Sequence, residues 1–410
     1  LLVFGAMLWI IEVYGVSVPF FDEWESEAGW LYRLYDQQVL TISHIQYPHN
    51  GHRLPVTRLT ALFLYIANDG WDPQLQMIVN AVLHALICGF LVKYVLVTFS
   101  GFNRLAPLLV TTLLFTVPFS WFSILVAFQT QFNFMLLFSV LALHFLSNAS
   151  YRVGYSFTAL SMLSMTPGAF VLPAFIGVVI IDAIRSKTIT RLQLLHATGS
   201  GLVFLLFVLY LPVEPASEAY YAQSVQAFAI TVAAAISWPF RVSSVIGLVM
   251  YVPLVVCIFK STVSTKAPRY LVALGFFMGL QFLSMAMFRG QDGVPPPSRY
   301  WELMIIGVWL NSICALFLAR IGNSLIIKYL AGLWIAIAFI GMLSLGIELF
   351  NSGLPDKKAE SLISVRLVTE YLSTGNKEVF EGHSAIEVSH PDTDALLHLL
   401  DDPTVRKVLP

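Results

Sequence analysis

The stretch Leu325–Ile347 reads LIIKYLAGLWIAIAFIGMLSLGI and contains one charged residue, Lys328. A helix needs about 20 mainly apolar residues to cross the hydrocarbon core of a bilayer, so this stretch predicts a membrane-spanning helix. Similar stretches recur along the chain, and about eleven spans are predicted in all. The other ten are Leu1–Val16, Gln74–Thr98, Leu105–Ile124, Thr130–Ser147, Val153–Met165, Gly168–Ile184, Leu192–Leu211, Val242–Phe259, Tyr270–Phe288 and Trp301–Ala319.

The composition agrees with a membrane protein. Of the 410 residues, 57% are hydrophobic and only 11% are charged, whereas a soluble domain carries about 25% charged residues. The formal net charge is -1, which gives no indication of a nucleic-acid partner. The fold class expected is therefore all-α, a polytopic membrane protein.

The positive charges suggest how the spans are oriented. Lys and Arg residues cluster in alternate loops, and membrane proteins keep such loops on the cytoplasmic side. With Leu1 starting inside, two hydrophilic segments are placed outside: the first loop (residues 17–73) and the C-terminal segment (residues 350–410). Residues 1–349 then form a transmembrane domain, and Arg58–Ala67 in the first loop predicts a helix lying in the membrane interface.

Two adjacent carboxylates open the first loop, in the sequence Pro19-Phe20-Phe21-Asp22-Glu23-Trp24. An apolar surrounding raises the pKa of a carboxyl group and makes it a better base. Asp22 and Glu23 are therefore candidate catalytic residues. The alternative is an acidic, solvated start of the loop beside a belt of aromatic residues.

A second cluster follows at His44 and at Tyr47-Pro48-His49-Asn50-Gly51-His52-Arg53. Imidazole and guanidinium groups bind anions well, so His49, His52 and Arg53 are candidate ligands of a phosphate. The spacing of the histidines is not a standard zinc pattern, so no metal ligands are predicted, although a divalent metal stays possible. The alternative for each histidine is a polar contact within the loop.

The loop before Trp301 carries Arg289 and, further on, Arg299-Tyr300. These two arginines lie on the predicted outer side, where basic residues are scarce, which indicates an anionic partner. A guanidinium can make forked contacts with a phosphate. The alternative is that Arg299 reaches lipid headgroups or pairs with Glu302.

Together these features resemble the GT-C superfamily of integral membrane glycosyltransferases, which includes the protein O-mannosyltransferases and the aminoarabinose transferase acting on lipid A. Asp22-Glu23 matches the Asp-Glu of the first loop in that family, and Arg299-Tyr300 resembles its late Arg-Tyr. His49-Asn50-Gly51-His52-Arg53 and the end of the chain, from Asp401-Asp402-Pro403, are similar to uncharacterised bacterial members.

The resemblance implies transfer of a sugar from a polyprenyl-phosphate donor to an acceptor at the outer face of the membrane, with no resident cofactor. A bacterial cytoplasmic membrane is the implied location. Asp22 would be the base in an inverting displacement, with Glu23 assisting. The donor phosphate would be held by basic and aromatic residues, namely Arg299, Tyr300, Arg53, His52, His49 and Arg289.

Two other functions fit the same pattern of spans. One is a lipid or solute transporter or flippase, which the scarcity of charges in the middle of the spans disfavours. The other is a glycan ligase that uses a polyprenyl-diphosphate donor. A noncatalytic scaffold would leave the grouping of Asp22-Glu23 and Arg299 on one side of the membrane unexplained.

Overall fold

A computed structural model describes residues 1–212, 215–240, 244–260, 266–291, 296–322 and 324–409. The structure is 81% helical, and no strand occurs in these ranges. One isolated β-bridge joins His49 and His52. The all-α class predicted from the sequence is therefore confirmed.

Long apolar helices dominate the first 350 residues. Seven helical stretches within the described ranges are long and apolar enough to cross a membrane, which supports the prediction of a polytopic membrane protein. They are Pro73–Thr98, Ala127–Ser147, Thr166–Ser186, Arg191–Leu209, Arg269–Phe288, Ser298–Ile321 and Leu325–Thr374.

The predicted number of about eleven spans is not confirmed. Four of the predicted spans form helices of only 12 to 17 residues: Leu2–Tyr14, Leu105–Thr116, Tyr151–Met162 and Ser244–Lys260. At a rise of 1.5 Å per residue, a helix of 12 residues covers about 18 Å, well short of the hydrocarbon core of about 30 Å. The first residues of the predicted span Val242–Phe259 lie outside the described ranges, as do residues 292–295 of the proline-containing loop.

The bounds of the remaining elements complete the description. The other α-helices of eight or more residues are Pro55–Ala67, Thr130–Ser147, Val171–Ser186, Val225–Ser237, Lys266–Phe288, Trp301–Ile321, Leu325–Glu348, Leu354–Thr374 and Thr393–Asp401. Shorter α-helices are Arg33–Asp36, Ile42–Gln46, Trp121–Leu125, Ala385–Val388 and Pro403–Val408. Two π-helices occur, Glu23–Tyr32 and Leu349–Gly353. The 3-10 helices are Gly101–Arg104, Ala127–Gln129, Thr166–Phe170, Pro215–Tyr220, Ser298–Tyr300 and Lys377–Phe380.

The helix Trp301–Ile321 lies at the centre of the bundle. Its most apolar stretch is 83% buried, whereas that of Arg191–Leu209 is only 6% buried, so the latter helix lies at the periphery. The indole N–H of Trp309 donates a hydrogen bond of 2.9 Å to Oγ1 of Thr111. This bond joins the central helix to Leu105–Thr116 at a place where both side chains are fully buried.

A cluster of buried, hydrogen-bonded side chains joins three further parts of the bundle. The Nδ1 atom of His84 lies 2.9 Å from Oε1 of Glu302, and the hydroxyl of Ser120 donates to the other carboxylate oxygen. The second ring nitrogen of His84 lies 2.9 Å from the carbonyl oxygen of Phe115. Glu302 therefore pairs with His84 and Ser120 inside the bundle.

The C-terminal segment packs against the first loop. Trp24 is fully buried in a cluster with Tyr371 and Leu396, and Ala28 packs with Val405 in a second cluster. Gly29 makes this contact possible, since a Cβ atom there would lie 2.6 Å from a methyl carbon of Leu399. The end of the helix bundle that carries the first loop and the C-terminal segment is called the loop end below.

Candidate functional site

The site begins with an unusual backbone at Phe21, whose φ angle is 50°. A non-glycine residue in this left-handed region costs about 1 kcal/mol or more and persists only where its surroundings hold it. The backbone N–H of Phe21 donates a hydrogen bond of 2.8 Å to the carbonyl oxygen of Ser389, and its ring packs edge-on against Phe20, with 4.3 Å between centroids. This turn follows the segment that leaves the first helix, and it places Asp22 directly before the helix Glu23–Tyr32.

The helix Glu23–Tyr32 is a π-helix of ten residues. Such helices are rare, usually comprise a single turn, and occur often at functional sites. Four carboxylates lie within this helix or directly before it, two of them buried and two exposed. Glu23 and Glu27 are each only 1% exposed, whereas the side chains of Asp22 and Glu25 are 40% and 52% exposed.

Asp22 lies against the histidine-rich turn predicted to contact it. The Nδ2 amide of Asn50 donates a hydrogen bond of 2.9 Å to Oδ1 of Asp22, and Nε2 of His49 lies 3.4 Å from the same oxygen. Burial opposes ionisation of Asp22, but the hydrogen bond and charge of His49, together with the charge of Arg299 and the Asn50 bond, outweigh it. The pKa of Asp22 therefore lies below its usual value.

This result corrects one expectation from the sequence. The apolar surroundings were expected to raise the pKa values at the start of the loop, and this holds for Glu23 but not for Asp22. The polar turn at His49 supplies partners that the local sequence around Asp22 does not reveal. Asp22 is ionised at neutral pH and is thus ready to accept a proton.

The turn itself is a tight hairpin. Asn50 and Gly51 have φ angles of 48° and 74°, and the backbones of His49 and His52 exchange hydrogen bonds of 2.8 and 2.9 Å. Positive φ at both central residues is typical of a type I′ turn, for which Asn-Gly is the preferred sequence. Residues that face each other across such a pair point to the same side, so His49 and His52 are presented together.

His52 fastens this hairpin to the helix bundle. Its Nδ1 atom lies 2.9 Å from Oγ1 of Thr166, whose hydroxyl also donates to the carbonyl oxygen of Gly51. Burial, together with the nearby charge of Arg289, lowers the pKa of His52 to about 4. His52 is therefore neutral at pH 7, and any contact with a phosphate would be a hydrogen bond and not an ion pair.

Both predicted arginines lie at the loop end. The guanidinium carbon of Arg299 lies 5.1 Å from the ring centroid of Tyr300, and its charge acts on Asp22. The corresponding carbon of Arg289 lies 4.8 Å from the ring of Tyr220, and its charge acts on His52. A cation above an aromatic face is held in place at a small gain in energy. Asp22 thus shares one end of the protein with two fixed cations.

Arg53 and Glu23 behave differently from the rest of the predicted set. Arg53 is exposed and makes no hydrogen bond or ion pair with another described residue of the site. Glu23 is buried, and its oxygens accept backbone N–H bonds of 3.0 Å from Phe20 and 3.2 Å from Phe128. The structure therefore does not bring Glu23 to the open side where Asp22 lies. It holds the backbone immediately before Asp22.

Burial raises the pKa of Glu23 to about 7, and the neighbouring charge of Lys357 opposes that rise. Glu27, one turn further on, has a pKa raised to about 8 by burial and by the charge of Glu23. Its Oε1 accepts a hydrogen bond of 2.9 Å from Gln76. Its Oε2 makes no hydrogen bond of normal geometry within the described ranges, although Trp71 and Tyr32 lie close enough to influence the pKa.

Arg58 stabilises the segment that precedes the hairpin, a role that was not predicted from the sequence. It is 2% exposed and donates to the carbonyl oxygens of His44, Ile45 and Tyr47, at 3.0 and 3.2 Å for the first two. Burial lowers the pKa of Arg58 to about 10, so the group stays charged at pH 7. The predicted interfacial helix therefore carries a buried residue that shapes the approach to His49.

The contact between Glu25 and His390 was also not predicted from the sequence. The Nε2 atom of His390, in the C-terminal segment, lies 3.5 Å from Oε1 of Glu25. The two residues are separated by most of the chain, and no local pattern marks His390 as a partner. No group of three or more His, Cys, Asp or Glu residues suited to a metal ion occurs in the part of the chain that the structure describes.

Comparisons with models of protein families, with curated proteins and with solved structures yield no match to this chain in any of the three.

Proposed function

We propose that this protein is an integral membrane glycosyltransferase that moves a sugar from a polyprenyl-phosphate donor to a hydroxyl group of an acceptor. The observation that carries the proposal is the placement of an ionised carboxylate, Asp22, within the electrostatic influence of Arg299 at the loop end. A base at the same end of the protein as a cation whose charge acts on it suits a reaction that takes up a proton and releases a phosphate. The resemblance of Asp22-Glu23 and Arg299-Tyr300 to the GT-C motifs supports the same reading.

The chemical step follows from these two charges. Asp22 accepts the proton of the acceptor hydroxyl as its oxygen attacks the anomeric carbon. The bond between that carbon and the phosphate oxygen breaks, and the polyprenyl phosphate leaves with the bonding electron pair. One direct displacement of this kind inverts the anomeric configuration.

The cations act on the leaving group. Negative charge grows on the phosphate oxygen as the bond breaks, and Arg299 and Arg289 stabilise it from their positions above Tyr300 and Tyr220. The stacking fixes both guanidinium groups before the donor arrives, which reduces the reorganisation needed during reaction. His52, neutral at pH 7, contributes a hydrogen bond to the phosphate.

His49 and Asn50 keep the base in position. The hydrogen bond from Asn50 and the contact with His49 hold the Asp22 carboxylate, while the buried Glu23 fixes the backbone before it. Glu23 is therefore a positioning residue in this proposal, and Arg53 is not part of the phosphate site. We place the site on the extracytoplasmic face of a bacterial cytoplasmic membrane, in accordance with the positive charges in the alternate loops.

The test uses the full chain in lipid nanodiscs with a panel of radiolabelled polyprenyl-phosphate sugars. Membrane lipids and glycans serve as acceptors, and release of polyprenyl phosphate is measured. Asp22→Asn is expected to lower turnover by about 100-fold or more with donor affinity nearly unchanged. Asp69→Asn, an exposed aspartate of the same loop, is the matched control.

Each result has a clear meaning. Full activity of Asp22→Asn removes Asp22 as the base. Movement of a lipid-linked sugar across the bilayer without cleavage of its phosphate bond would establish a transporter instead. Cleavage of diphosphate donors alone would establish the glycan ligase.

A further inference from the structure

The proposed mechanism assigns no role to one exposed carboxylate, that of Glu25. Glu25 lies three residues after Asp22, and its side chain is 52% exposed. Because the side chain of Asp22 is also exposed, at 40%, both carboxylates reach solvent close together at the loop end. A ligand that reaches Asp22 from solvent therefore also meets Glu25.

A buried histidine is directed at this carboxylate. His390 is 1% exposed, and its Nε2 atom makes no hydrogen bond within the described residues, although Oε1 of Glu25 lies 3.5 Å away. The other ring nitrogen, Nδ1, lies 3.0 Å from the backbone N–H of Asp392 and within hydrogen-bonding distance of the Asp392 carbonyl oxygen, so its partners lie in its own turn. Nε2 is therefore the ring nitrogen that faces the Glu25 carboxylate.

A buried polar atom without a hydrogen bond is costly and calls for an explanation. The His390 side is fixed, because Ser389 accepts bonds from the backbone of Phe21 at 2.8 Å and from the indole of Trp24 at 3.3 Å. The Glu25 side is exposed and can move. A small movement of the Glu25 carboxylate toward Nε2 would close the gap of 3.5 Å.

We propose that Glu25, positioned by His390, binds the acceptor substrate, and that this acceptor is a neutral or cationic polyhydroxylated group such as a sugar. The assignment of the ligand as acceptor rests on the proposed transferase function. Glu25 accepts a hydrogen bond from a hydroxyl next to the one that Asp22 deprotonates. It forms no covalent bond.

The charges of the site support this choice of ligand. Asp22 and Glu25 present two carboxylates to the same ligand, and both accept hydrogen bonds from hydroxyl or ammonium groups. An anionic acceptor would be repelled by both.

Binding of two soluble probes tests the idea directly. Methyl β-glucoside and methyl β-glucuronide differ only at C6, which is a hydroxymethyl group in the first and a carboxylate in the second. Saturation-transfer NMR with the full chain in nanodiscs measures the binding of both. We expect the wild type to bind the glucoside at least about 10-fold more tightly than the glucuronide. Glu25→Gln should weaken glucoside binding about 10-fold and reduce the discrimination against the glucuronide.

Two controls separate a local role from a general one. Glu381→Gln, an exposed carboxylate of the C-terminal segment, should leave binding of both probes unchanged. His390→Asn keeps an acceptor for the Asp392 N–H but loses the donor toward Glu25, whereas His390→Gln keeps a donor toward Glu25. We expect weaker glucoside binding in His390→Asn and recovery toward the wild-type value in His390→Gln.

The same variants distinguish this inference from the proposed function. When the wild type transfers sugar to octyl β-glucoside, Glu25→Gln should raise the KM for that acceptor more than it lowers kcat. Normal probe binding by Glu25→Gln, or equal binding of both probes by the wild type, overturns the acceptor site even if the protein is a transferase. Loss of glucoside binding in Glu25→Gln, with no lipid-linked donor cleaved, retains a carbohydrate site and overturns the transferase.

Discussion

The backbone N–H of Phe21 and the carbonyl oxygen of Ser389 form a hydrogen bond of 2.8 Å. Both residues have positive φ angles, 50° and 61°, so each of two strained turns holds the other in place. Asp22 follows one turn and His390 follows the other. The C-terminal segment is therefore part of the framework that positions the first loop.

Replacement of Arg299 should weaken donor binding. A charge-assisted hydrogen bond contributes about 1.5 to 3 kcal/mol, so Arg299→Ala is expected to raise the Kd of a polyprenyl-phosphate sugar by about 10- to 100-fold. Arg53→Ala removes an equally charged but exposed residue of the same end and should change the Kd by less than about 3-fold. Equal effects of the two variants would show that only general attraction of the phosphate is at work. The measurement is equilibrium binding of labelled donor in nanodiscs.

The hairpin should depend on the left-handed backbone at Gly51. With φ at 74°, alanine at this position costs about 1 to 2 kcal/mol, whereas asparagine tolerates the conformation. Gly51→Ala is expected to lower sugar transfer about 10-fold by displacing His49 from Asp22, and Gly51→Asn should retain most of the activity. Gly382, with φ at 77°, is exposed in the C-terminal segment. Loss of activity in Gly382→Ala would show that strain anywhere at the loop end is sufficient, against this explanation.

The buried carboxylates predict a particular pH dependence of stability. The folded pKa of Glu27 is raised to about 8 from an ordinary value of 4.5, so the folded state retains the proton that the unfolded chain releases first. Stability should therefore fall as the pH rises from about 5 to 8, and most steeply above about 6.5, because the lowered pKa of His52 contributes with the opposite sign below that pH. Glu27→Gln, which keeps an acceptor for Gln76, should make this fall smaller in measurements of Tm by tryptophan fluorescence.

Glu25→Gln is the control for this pH series, because the pKa of Glu25 is lowered and its loss should not flatten the curve. The burial account fails if the Tm of the wild type rises between pH 5 and 8, or if Glu27→Gln leaves the slope unchanged. The pKa of Glu23, raised to about 7, also makes stability fall as the pH rises. It therefore accounts for any slope of Tm against pH that remains in Glu27→Gln.

Arg58 should be important for stability and for the order of the hairpin. Arg58→Ala leaves three carbonyl oxygens without their buried donor, at a cost of about 2 to 4 kcal/mol. We expect a Tm lower by several degrees and faster proteolysis between residues 44 and 52. Arg33→Ala breaks a more exposed pair with Asp402 at 3.4 Å and should change the Tm little. Similar shifts in both variants would contradict the special role of Arg58.

The apolar stretches could be recognised from the sequence because their length and composition are dictated by the bilayer. Their number could not, since the apolar stretch Leu105–Ile124 forms a continuous helix only as far as Thr116, and composition alone does not locate that end. Asp22, His49 and the arginines could be proposed as a site because scarce charged groups at a membrane surface stand out. Glu25 and His390 could not, because their pairing depends on how the C-terminal segment folds back.

The π-helix Glu23–Tyr32 is wider than an α-helix. It makes the first loop intolerant of changes in length, which is unusual for a surface segment. Removal of Ala28 alone would allow the helix to tighten to the ordinary α form, in which each residue turns the chain by about 100°. Asp22 and Glu25 would then leave the open side relative to Tyr32, and Gly29 would no longer face Leu399. A single codon deletion here should be as damaging as loss of a catalytic group, although it removes none.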